Sequence, residues 1–110
     1  MFVVLAAAAG CGGSATRFAP TGSMTVARDG HTATLLPDGT VLIAGGGDGN
    51  IALSSTELYD PAAATFAASD SMSVGRHHHT ATLLADGTVL IAGGYGGSDG
   101  FSLASAELYR

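Results

Sequence analysis

The sequence predicts an all-β protein built from a four-stranded antiparallel unit that occurs about twice. Three observations carry this. The stretch His31 to Gly46, HTATLLPDGTVLIAGG, returns at His79 to Gly94 with Pro37 replaced by Ala85 as the only difference. The apolar runs are of strand length and close on Asp-Gly or Gly-Gly pairs, residues that supply hairpin turns. The 17 glycines gather at those turns, and 46% hydrophobic against 12% charged residues argues against a disordered chain. At 110 residues the chain has room for one small domain.

The chain opens on Phe2 to Ala9 (FVVLAAAA), an uninterrupted apolar run. A helix of that length reaches only about 12 Å, far short of a bilayer core, but it suits the apolar region of an export signal. Cys11 follows Ala8-Ala9-Gly10 and resembles the lipobox of bacterial lipoproteins, which implies a signal peptide over 1–10 and lipidation at Cys11. Ala8 stands where that motif usually has Leu, and no basic residue precedes the run. Residues 11–15, with Gly12 to Ala15 as GGSA, read as a flexible tether.

The repeats are expected over 16–110. Phe18 to Met24 aligns with Phe66 to Met72 at a displacement of 48, so 16–22 is expected to be an outer, fourth strand. A full unit follows over 24–68. Its strands are His31 to Leu36, the apolar run Thr40 to Ala44, Ser55 to Tyr59, and a fourth near Thr65 to Ala68. Pro37-Asp38-Gly39 joins the first two, Gly45-Gly46 ends the second, and Asp60-Pro61 turns the chain after the third. A partial unit occupies 72–110 and stops after its third strand at Tyr109. Glu57-Leu58-Tyr59 returns as Glu107-Leu108-Tyr109 at a displacement of 50, so two residues are inserted after Gly94, where a surface loop is expected.

A period of 48 to 50 lies in the range of β-propeller blades. The apolar run before Gly45 and Gly46, the later Tyr59 and the aromatic Phe66 resemble the kelch family, in the bacterial form related to the central propeller of galactose oxidase. Gly93, Gly94 and Tyr109 match the same pattern in the second copy, while Phe66 and Phe18 stand where kelch repeats usually carry Trp. The resemblance implies about two blades of four antiparallel strands. A propeller needs at least about four blades, so the chain is expected to be the N-terminal fragment of a longer one, or to complete its ring by self-association.

Candidate chemistry is sparse. The run His77-His78-His79 invites a metal reading, but on a strand neighbouring residues face opposite ways, so at most His77 and His79 could converge. Neither acidic nor cysteine ligands lie near them, and no metal or cofactor is expected. His31 and His79 recur at equivalent positions, as do Arg28 and Arg76 with Glu57 and Glu107. Repetition is what a structural role demands, so hydrogen bonds fixing each blade and stapling ion pairs are expected there. Asp48 and Asp99 sit in glycine-rich loops without the spaced carboxylates of an EF-hand, and those loops are expected to be mobile connections.

The formal net charge of −5, with four Arg and no Lys, removes the electrostatic basis for nucleic acid or anionic lipid binding. No catalytic constellation occurs, and the copper site of galactose oxidase has no counterpart residues here. The expectation is an exported, membrane-anchored lipoprotein of the cell envelope, touching the membrane only through its lipid. It would bind a protein or glycan through its blade loops, without catalysis. The alternatives are a fragment of a galactose-oxidase-like enzyme whose active residues lie in other blades, and a purely structural spacer. What distinguishes the protein is expected where the copies differ, at Asp29-Gly30 against His77-His78 and in the loop that grows before Ser105.

Overall fold

The computed structural model describes residues 17–110, and the expected signal peptide, Cys11 and the 11–15 tether lie outside them. The described residues are all-β, with no helix. Strands β1 (Thr32–Leu35), β2 (Val41–Ala44), β3 (Thr56–Asp60) and β4 (Thr65–Ser69) form an antiparallel meander in that order. The second copy repeats its first three strands as β6 (Thr80–Leu83), β7 (Val89–Ala92) and β10 (Ala106–Tyr109), with β7 in the middle. These follow the sequence reading to within a residue or two.

The hairpin turns explain the register. Asp38 Oδ1 accepts from the Thr40 amide at 2.9 Å and from Thr40 Oγ1 at 2.7 Å, and Asp86 does the same for Thr88 at 3.0 and 2.7 Å. The carboxylate thus holds the turn in both copies, so Pro37 and Ala85 are interchangeable there.

The continuous apolar runs VLIA at 41–44 and 89–92 follow from how the copies pack. Leu42 and Ala44 on one face of β2 meet Val89 and Ile91 of β7, together forming the buried core. In the repeat, Leu42 and Ala44 correspond to Leu90 and Ala92, whereas Val89 and Ile91 correspond to Val41 and Ile43. The front of the first sheet therefore packs on the back of the second. Alternate residues of each run serve different neighbours, so neither face can be polar.

One expectation is corrected. Over 17–22 there is no strand. A strand exists through its ladder, and this segment forms none: Gly22 N–H donates to Ala64 O in the turn between β3 and β4 at 3.1 Å, and Thr21 Oγ1 lies 2.7 Å from the Tyr59 hydroxyl. The loops after Gly46 and Gly94 also carry strand pairing that the sequence reading did not place. A third sheet, β5 (Arg76–His77), β8 (Tyr95–Gly96) and β9 (Phe101–Ser102), forms in the order β5-β8-β9. Its first-copy equivalent is reduced to the bridges Asp29–Gly47 and Gly47–Ala52. The two inserted residues lengthen the hairpin turn from 49–50 to 97–100, and Tyr95 opposite Ser102 keeps the register of Gly47 opposite Ala52.

Candidate functional site

The repeated polar residues form the frame around the loops. Arg28 Nη1 donates to Gly45 O at 2.8 Å and Ser55 O at 3.0 Å, while Nη2 donates to Glu57 Oε2 at 2.7 Å. The Thr25 amide donates to Glu57 Oε1 at 2.8 Å. Arg76 repeats the set on Gly93 O and Ser105 O, both at 2.9 Å, and on Glu107 Oε2 at 3.2 Å. Each arginine precedes the first strand of its unit and ties the end of the second strand to the start of the third. Burial pushes the Glu57 carboxyl up, but the Thr25 amide and the Arg28 guanidinium outweigh it and hold the group below its ordinary value. For Glu107 burial again acts upward, and the Ser73 amide and hydroxyl with Arg76 outweigh it.

Of the motif glycines, Gly45 and Gly93 serve these arginines through their carbonyls. Gly46 and Gly94 have φ of 99° and 88°. A Cβ on Gly46 would stand 2.6 Å from Asp29 O, so the position excludes side chains by both conformation and space. At the opposite end of the first sheet Tyr59 and Phe66 are cross-strand partners with ring centroids 4.7 Å apart. Tyr109 places its hydroxyl 3.0 Å from Ser69 Oγ and thereby links the copies.

The equivalent histidines differ. His79 is 6% exposed between the copies, with Nε2 2.9 Å from Thr32 Oγ1 and no partner at Nδ1, whereas His31 is exposed. Burial, reinforced by the nearby Arg76 charge, lowers the His79 pKa.

The histidine run does not behave as a strand. His78 has φ 56°, which ends β5 at His77 and swings the His78 ring back beside its neighbour. His77 and His78 therefore converge, with Nδ1 atoms 2.6 Å apart, a pairing that strand alternation does not allow. The aligned residue Gly30 has φ 66°, so the repeat itself carried the signal for this bend.

Across the third sheet His77 lies opposite Tyr95 and Tyr95 opposite Ser102, which puts all three on one face. The His77 and Tyr95 rings are 5.8 Å apart, and His78 lies 6.3 Å from Tyr95. The first copy has Asp29, Gly47 and Ala52 in the same row. His77 also borders an open groove of about 550 Å³ between the 47–52 and 96–100 loops. Asp48 and Asp99 organise these loops: Asp48 Oδ1 accepts from the Asn50 and Ile51 amides and Asp99 Oδ1 from Phe101. Among the described residues no three His, Cys, Asp or Glu are placed to hold a metal ion. No helix among them is long and apolar enough to cross a membrane. Neither a protein-family model nor a curated protein matches the chain.

Proposed function

We propose that this chain contributes blades to a kelch-type β-propeller that binds a protein or carbohydrate through the loops at one end of its sheets, without catalysis. The observation that carries the reading is the combination of a repeated frame with an unrepeated face, His77-Tyr95-Ser102, beside a groove. A frame must recur in each unit, whereas a recognition site needs to occur once. The front-to-back packing of the sheets is a heterologous contact, the kind that closes rings or continues through further copies. Further blades in cis or self-association would cover the front of the second sheet, where Leu108 is exposed. Cys11, lipidated after export, would tether the module to the cell envelope.

Arrays of glycans and of envelope proteins probed with the full chain test the reading. It expects saturable binding that is lost in a His77→Ala and Tyr95→Ala double variant. Binding that survives in the double variant, or none on either array, contradicts it.

A further inference from the structure

We infer that a second copy of this chain docks head to tail, seating the back of its first sheet on the front of this chain's second sheet. This commits the open front to one occupant and does not depend on the ligand reading. The template for the contact is the joint already formed between the two sheets. There Leu42 and Ala44, on the front of the first sheet, are buried with Ile91 from the back of the second, and Met72 packs beside them. His79 Nε2 reaches Thr32 Oγ1 at 2.9 Å. Four backbone bonds cross the joint: Gly46 N–H to Arg76 O at 2.9 Å, Arg76 N–H to Leu53 O at 3.1 Å, Met72 N–H to Ser54 O at 2.8 Å and His78 N–H to Gly30 O at 2.8 Å.

Both halves of that joint recur on the same chain and stand open. On the front of the second sheet Leu90, Ala92 and Thr80 repeat Leu42, Ala44 and Thr32. Leu90 and Ala92 are only half-buried and Thr80 is exposed. On the back of the first sheet Met24, His31 and Ile43 repeat Met72, His79 and Ile91. With Val26 and Phe66 they line an open cavity of about 580 Å³. The equivalent amides of Met24, Arg28, Gly30 and Gly94 have no backbone acceptor among the described residues. In the same geometry Gly94 N–H donates to the second copy's Arg28 O, and the second copy's Arg28 N–H to Leu103 O. Thr80 then meets the second copy's His31 as Thr32 meets His79.

The glycines at the joint carry an independent sign. A Cβ on Gly45, at φ 65°, would clash with Arg76 O and crowd His79 and Met72 across the joint. On Gly93, at φ 70°, it would meet only Leu103 O, at 3.6 Å. Gly93 is thus open where Gly45 is sealed. One bond is not repeated: Thr56 Oγ1 donates to Asp70 O at 2.6 Å, and Ala106 stands in the place of Thr56. The contact between copies should therefore be weaker than the internal joint and depend on concentration. It is heterologous, each chain giving one face and taking the other.

The test is sedimentation equilibrium of the full chain under reducing conditions. The weight-average mass is expected to rise with concentration to at least twice that of one chain. Gly93→Ala fills the front without touching the internal joint, and Met24→Glu charges the back. Each should weaken association at least about tenfold. Gly100→Ala, at φ 76° with nothing within 4 Å of its Cβ, carries the same left-handed strain and should leave association unchanged. Mixed in equal amounts, Gly93→Ala and Met24→Glu should form a paired dimer, because each keeps the face the other has lost. A monomer at every concentration, association undiminished by both variants, or a mixture no heavier than its components overturns the proposal. Ligand binding on the arrays by such a monomer would leave the binding-module reading standing.

Discussion

Arg28 and Glu57 meet at 2.7 Å with both side chains out of contact with water, and Arg76 and Glu107 repeat the pair at 3.2 Å with Glu107 22% exposed. The same staple is thus present twice, at two depths. Removing one partner of a buried pair leaves an uncompensated charge at a cost of about 3–5 kcal/mol. Arg28→Met is therefore expected to lower stability by about that much, measured by urea denaturation. Glu107→Gln, whose pair is longer and partly hydrated, should cost roughly 1–2 kcal/mol.

The glycine pair makes a sharper prediction than flexibility alone. Gly46 and Gly49 have similar φ, 99° and 100°, but a Cβ on Gly49 would meet nothing within 4 Å. Gly49→Ala should cost only the left-handed strain, about 1 kcal/mol. Gly46→Ala adds a clash with Asp29 O and should cost at least about 2 kcal/mol more. Thermal or urea melts of the two variants separate the contributions.

His78 is a side chain at a position where the other copy has glycine. Its φ of 56° carries a strain that glycine lacks. His78→Gly is expected to raise stability by about 1 kcal/mol in the same urea titration.

His79 should make stability depend on pH. Its folded pKa is depressed below 6.5, so the folded state favours the neutral ring and the unfolded chain binds the proton more readily. The stability it supports is complete above about pH 6.5 and is lost as pH falls from there through the folded value. Urea midpoints should drop as the pH falls below about 6.5. His79→Gln should flatten that drop, while the protection supplied by Glu57 and Glu107 is lost only at lower pH, through their depressed carboxyl values.

Much of the scaffold was legible because its causes are local. Apolar runs, Asp-Gly turns and the repeat placed the main strands, and recurrence singled out Arg28 with Glu57 and Arg76 with Glu107. The third sheet was not legible: its strands are two residues long, and the turn between β8 and β9 depends on Asp99 accepting from the Phe101 amide. The convergence of His77 with His78 depends on a positive φ that a histidine does not announce. Only its alignment with Gly30 could have revealed it. The segment 17–22 shows the limit of homology between copies, because a sequence that resembles β4 forms a strand only where a sheet edge pairs with it.

The central claim is that the shared residues make the frame and the unshared ones make the site. Its most direct measurement converts the second copy's face into the first's, by His77→Asp, His78→Gly and Tyr95→Gly together, and compares urea stability with ligand binding on the same protein. The account predicts cooperative unfolding within about 2 kcal/mol of the parent and complete loss of binding. Retained binding, or collapse of the fold with Arg76 and Glu107 intact, would contradict it.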